Sequence, residues 1–101
     1  MTYYAVAKVT VKDDGWIPAY REAVTGLVHK HGGKYLARTA TMTQLEGDNP
    51  PPNVFVIIEW PSKEAAEAFY NDPEYKPHLD NRLAGSDSEF TLIAGEDMMA
   101  G

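Results

Sequence analysis

Val54-Phe55-Val56-Ile57-Ile58-Glu59-Trp60 has no polar residue before its sixth position. Val, Ile, Phe and Trp all favour a pleated, packed backbone, so the run reads as a strand. A strand with one wet face alternates apolar and polar residues. This one does not. Val54, Val56, Ile58 and Trp60 point one way and Phe55 and Ile57 the other, so both faces are apolar until Glu59. Pro61-Ser62 closes the strand, and Ser62 is placed to cap a helix running through Tyr70. Ala65, Ala66, Phe69 and Tyr70 form that helix's packing face. On the upstream side, Gly47-Asp48-Asn49-Pro50-Pro51-Pro52-Asn53 reads as a loop, because prolines cannot donate to a ladder.

The flanking segments complete a pattern around this strand. Thr2 to Lys12 is rich in Tyr, Val and Thr and reads as a first strand. Asp13-Asp14-Gly15 breaks it. The period then turns helical, with Ile17, Tyr20, Val24, Leu27, Val28 and His31 on one stripe. Asp14 is the expected N-cap, Pro18 sits in the first turn, and Gly32-Gly33 supplies a left-handed end. Lys34 to Glu46 reads as a long second strand, and such length predicts a bulge or bend within it. After Tyr70, Asp72 caps a further helical piece that begins at Pro73. That piece carries Tyr75, Leu79 and Leu83 on one side and ends at Gly85. Ser88 to Ala94 is the last strand. The order strand-helix-strand-strand-helix-strand is the split βαβ of a ferredoxin-like α+β fold. Right-handed crossovers put the helices on one face of a four-stranded antiparallel sheet. Residues 1–96 are expected to form the one domain and residues 97–101 a tail.

The opposite sheet face is then left apolar. Tyr4 and Val6 oppose Ala5 and Ala7 in the first strand, and Phe90 and Leu92 oppose Ile93 in the last. Burying a few hundred Å² of such surface is worth several kcal/mol at about 25 cal/mol per Å². The expected partner is a second copy, forming a homodimer through this open face. The alternative is a loop or tail of the same chain lying over it.

Composition narrows the function classes. The chain has 101 residues, with 9 Lys+Arg against 15 Asp+Glu, a formal charge of −6. That balance opposes nucleic-acid binding, which needs a basic face. With no cysteine, thiol catalysis and Cys-ligated metal sites are excluded. No leader-like or membrane-spanning segment is visible, so a cytoplasmic protein with no membrane partner is expected. Three scattered histidines, with no dinucleotide or flavin fingerprint, predict no metal and no organic cofactor.

Several runs carry a resemblance. They are His31-Gly32-Gly33-Lys34-Tyr35-Leu36-Ala37-Arg38, Leu45-Glu46-Gly47, Val56-Ile57-Ile58-Glu59-Trp60-Pro61-Ser62 and Ala65-Ala66-Glu67-Ala68-Phe69-Tyr70-Asn71-Asp72-Pro73-Glu74-Tyr75, with Arg82 and Gly95. Together they resemble a small bacterial domain-of-unknown-function family, number 1330. It is a dimeric α+β-barrel family similar to antibiotic-biosynthesis monooxygenases and EthD-type proteins. The resemblance implies a ferredoxin-like protomer and a sheet-to-sheet dimer, and no established reaction.

Candidate site residues come from charge inside apolar elements. Arg38 and Glu59 each lie within an apolar strand, and an unpaired buried charge is very costly. If paired residue numbers across the hairpin add to 97, the two face each other, whereas an even sum puts them on different faces. The odd sum is expected because it lets the charges satisfy one another. Tyr75, His78 and Arg82 share a helical face at i, i+3 and i+7, with His78 able to titrate near neutral pH. These five residues are the expected pocket. They suit a small-molecule enzyme of the cofactor-free monooxygenase or isomerase kind, acting on an acidic, phenolic or enolic metabolite. In that reading Arg38 stabilises an anion and His78 or Tyr75 transfers a proton. A noncatalytic metabolite-binding or structural homodimer is the alternative.

Overall fold

In the computed structural model, which describes residues 1–100, Val54–Trp60 is the third of four strands. The elements run β1 (Tyr3–Val11), α1 (Ile17–Lys30), β2 (Lys34–Thr39), β3 (Val54–Trp60), α2 (Lys63–Tyr70), α3 (Lys76–Gly85) and β4 (Ser86–Ala94). The strands form one antiparallel sheet in the order β2-β3-β1-β4. This is the ferredoxin-like α+β arrangement, with its second helical stretch divided into α2 and α3.

Both helical layers cover the same sheet face. Ala5, Ile58 and Trp60 from the sheet form one buried cluster with Val24, Leu27 and Val28 of α1 and Ala66, Phe69 and Tyr75 beyond β3. The stripe read from the sequence is therefore the packed face of α1. Gly32 ends that helix with a φ of 86°, a left-handed angle that glycine adopts without strain. Gly33 follows where a Cβ would stand 2.7 Å from Val28 and 2.8 Å from the Trp60 ring, so only glycine admits the buried indole. Ser62 caps α2 by accepting from the Ala65 N–H at 3.1 Å.

Four local expectations are corrected. Asp14 does not cap α1 with its side chain; the N-cap is Trp16, and Asp14 contributes its backbone carbonyl to the Ile17 N–H. Its neighbour Asp13 uses its carboxylate to hold the turn, accepting from the Gly15 N–H at 2.9 Å. β2 stops at Thr39 rather than Glu46. Pro50, Pro51 and Pro52 cannot extend β3 backwards, so the chain beyond Thr39 has no strand to pair with. Regular helix after Asp72 begins at Lys76, not Pro73. Asp72 caps the intervening turn, its Oδ1 accepting from the Glu74 N–H. Leu83 is exposed, while Tyr75 of the same stripe is fully buried.

The fifth correction decides the site. β2 does carry a bulge, at Leu36: Lys34 pairs with Glu59 and Tyr35 with Ile58, but Ala37 pairs with Ile57 and Arg38 with Val56. The sum of paired numbers is odd before the bulge and even after it. Arg38 therefore lies on the helix-covered face, as Val56 does, while Glu59 lies on the open face opposite Lys34. The expected Arg38–Glu59 pair does not exist. One extra residue reverses which face every later side chain occupies.

On the open face, Tyr4, Val6, Phe55, Ile57 and Ile93 are neighbours in the register, with Lys8 and Glu89 forming an ion pair at 3.7 Å beside them. The loop of residues 42–52 shares a shallow surface pocket with Lys8 and Phe55 of this face. No helix is long and apolar enough to cross a membrane among the described residues.

Candidate functional site

Toward its β2 edge, the helix-facing side of the sheet is not filled. A cleft of about 260 Å³ lies there between α1 and the sheet. Ala7, Val9, Val54 and Val56 form its floor, and Ile17 and Val24 form its α1 wall. Small side chains on β1 leave the space, since Ala7 stands where a larger residue would reach α1.

One end of the cleft is polar and deep. The hydroxyls of Tyr20 and Tyr75 are 2.8 Å apart. Arg82 donates from Nη2 to the Tyr75 hydroxyl at 3.3 Å and from Nη1 to Ser88 Oγ. Its guanidinium lies 5.9 Å from the Tyr20 ring centroid and 6.0 Å from that of Phe90. Burial, followed by the neighbouring Tyr75, pushes the Tyr20 phenol far above its ordinary range. Tyr20 therefore keeps its proton, and either phenol can donate across the Tyr20–Tyr75 contact. Burial works against the Arg82 charge, but the two phenols offset it and hold the group above its usual value. Arg82 thus stays cationic at 3% exposure. Its Nε–H is buried with no acceptor.

The mouth of the cleft is built by β2. Arg38 stacks over the Tyr35 ring at 3.9 Å and donates to Thr25 Oγ1 at 2.8 Å. Thr25 in turn donates to the Arg21 carbonyl at 2.7 Å, tying the β2 edge to α1. Burial raises the Tyr35 phenol, and the nearby Arg38 charge opposes that rise.

A second charged cluster sits apart, where the C-terminus of α1 meets the turn after α2. The Asp72 carboxylate is 6% exposed. Its Oδ2 lies 2.7 Å from His31 Nε2 and accepts from Lys30 Nζ at 3.2 Å. The His31 hydrogen bond, then that from the Glu74 N–H, lowers this carboxyl to about 2. Among the described residues no three metal-ligating side chains gather.

A family model described as a domain of unknown function, DUF1330, matches residues 2–96. The chain belongs to the DUF1330 family. Its solved structural neighbours include a protein of unknown function from Rhodopseudomonas palustris, with a TM-score of 0.81 and 18% identity over 95% of this chain and 83% of that one. SnoaB, a cofactor-independent oxygenase from Streptomyces nogalater, gives a TM-score of 0.65 at 18% identity over 99% and 98% of the two chains. A dimeric ferredoxin-like protein of unknown function from Jannaschia sp. CCS1 gives 0.71 at 12% identity over 93% and 99%. At these identities the likeness is one of fold. No curated protein matches the chain.

In this DUF1330 protein the five residues expected to share a pocket divide. Arg38 and Arg82 both line the cleft. Tyr75 stands behind it, joined to the cleft wall through the Tyr20 hydroxyl. His78 is half-buried on α3 and does not line it. Glu59 is on the other face of the sheet. Tyr20 and Arg21 were missed. The periodicity places Tyr20 only on the α1 core stripe, yet a tyrosine on a buried stripe needs a partner for its hydroxyl. That requirement was the available signal.

Proposed function

We propose that this protein is a homodimeric small-molecule enzyme of the cofactor-free monooxygenase or isomerase kind, acting on a phenolic, enolic or acidic metabolite held in the cleft. The observation that carries the reading is an apolar cleft ending in the Tyr20–Tyr75–Arg82 cluster. Apolar walls with a few convergent polar groups are the usual make-up of a small-molecule site. The chemistry open to the cluster is proton transfer with charge stabilisation. A phenol that keeps its proton donates to a developing oxyanion, and a guanidinium beside it stabilises the charge. SnoaB, described as a cofactor-independent oxygenase, shares the fold and lends the oxygenase class its place in the reading. Oxygen uptake with a panel of phenols and quinols, using metal-analysed protein, tests it. Turnover abolished by Tyr20→Phe supports it. Tight binding of panel members with no turnover leaves the noncatalytic metabolite-binding dimer as the function.

The dimer closes through the open sheet face. Val6, Phe55, Ile57 and Ile93 make that face too apolar to leave in water. The Jannaschia neighbour is described as dimeric, which supports a two-chain assembly here. Light scattering is expected to show a two-chain species, and Ile57→Lys to give monomer or aggregate. A parent protein that stays at 11.2 kDa at micromolar concentration would sink the dimer.

A further inference from the structure

We infer that the deep end of the cleft is an anion subsite, and that the ligand is a small apolar molecule carrying one anionic oxygen group that Arg82 receives. The inference rests on the small-molecule reading above and adds the charge and orientation of the ligand. Its first support is an unfinished coordination. Arg82 is 3% exposed and lines the cleft, but no carboxylate forms an ion pair with it among the described residues. Its two acceptors are the neutral hydroxyls of Tyr75 and Ser88, and its Nε–H has none. A guanidinium carries five donors in a planar fork that matches carboxylates and similar oxyanions. Buried charges in proteins are ordinarily paired.

The second support is where the charges are. The chain holds only three arginines, Arg21, Arg38 and Arg82, and all three line this cleft. No aspartate or glutamate lines it, although acids outnumber bases 15 to 9 in the chain. A basic cleft in an acidic protein draws an anion inward, with Arg21 and Arg38 exposed at the mouth and Arg82 buried at the end. The walls between them are apolar, so the body of the ligand is apolar too. The volume, about 260 Å³, is below that of clefts holding drug-sized molecules, so the ligand is smaller than those. The anionic oxygen belongs to a carboxylate or to an ionised phenol or enol.

Calorimetric titration of the parent protein with 2-naphthoate and its neutral counterpart 2-naphthamide tests this. The expected result is a preference of about tenfold or more for the anion, the size of one charge-assisted hydrogen bond. Arg82→Met is expected to erase the preference while 2-naphthamide binds as before, and Arg82→Lys to keep part of it. Ser88→Asp gives Arg82 an internal carboxylate and is expected to erase the preference without removing the arginine, a check that survives if Arg82→Met does not fold. Titration with 4-nitrophenol, whose ionised form is coloured, separates the phenolate source from the carboxylate one: a lowered apparent pKa on binding assigns the phenolate. Equal binding of naphthoate and naphthamide by the parent, or a preference that persists in both Arg82→Met and Ser88→Asp, overturns the subsite and leaves the cleft reading standing. Binding of neither naphthyl probe overturns both.

Discussion

Asp72 and Arg82 are both charged, both nearly enclosed, and treated by the fold in opposite ways. Around Asp72 the chain gathers His31, Lys30 and the Glu74 N–H, and the carboxyl is held well below its ordinary value as a result. Around Arg82 it gathers two neutral hydroxyls and two aromatic rings, and its Nε–H has no acceptor. A completed charge fastens elements together: Asp72 ties the end of α1 to the turn before α3. An uncompleted one stabilises nothing by itself, and its position at the end of a cleft gives it another use. The difference separates a structural charge from a site charge without any appeal to residue type.

Four substitutions break or sharpen this contrast. The largest effect is expected from Arg82→Glu, which puts a buried carboxylate among the Tyr20 and Phe90 rings and the Tyr75 and Ser88 hydroxyls. Stability should fall by about 3–5 kcal/mol, read from the urea midpoint. Ser88→Asp completes Arg82 from within and should stabilise by about 1–2 kcal/mol, because the arginine is already desolvated and gains a charged acceptor. Arg82→Met should be neutral or stabilising by about 1 kcal/mol, since an apolar chain of similar size replaces an unpaired charge. A loss of several kcal/mol in that variant would make Arg82 structural, like Asp72, and dissolve the contrast.

The smallest effect is confined to acid. The Asp72 carboxyl is lowered from 3.8 to about 2, so it contributes stability fully above its unfolded value and loses it as pH falls through the folded one. Thermal melts of the parent should therefore fall between about pH 4 and 2 by an increment that Asp72→Asn lacks. An identical acid profile for the two proteins would remove Asp72 from the completed class.

The fold was legible because its signals are local. The two-sided apolar run at Val54–Ile58, the helical stripe from Ile17 to His31 and the Ser62 cap each need only neighbouring residues to be read. The site was less legible because it depends on one residue of register. Arg38 reaches the cleft only because Leu36 is extruded from the ladder, and no propensity distinguishes Leu36 from Tyr35 or Ala37 as the bulged position. Helical spacing brings Tyr75 and Arg82 together without fixing how far around α3 the cleft extends, so it groups His78 with them as well. Tyr20 and Arg21 lie on α1, and only the packing of α1 over the sheet brings them to the cleft.

The two tryptophans give the molecule a pair of optical reporters with separate addresses. Trp60 is wholly enclosed against Gly33 and Phe69, with its indole N–H unpartnered, so its emission belongs to the blue end and changes only when the core opens. Trp16 borders the cleft, edge-on to Tyr20 at 5.2 Å, with its N–H on the Gly85 carbonyl. A molecule entering the cleft changes the surroundings of Trp16 directly, whereas Trp60 does not line the cleft. Unlabelled protein therefore distinguishes occupancy from unfolding in one spectrum: a red component that quenches or shifts alone records occupancy, and a blue component that moves records loss of the fold.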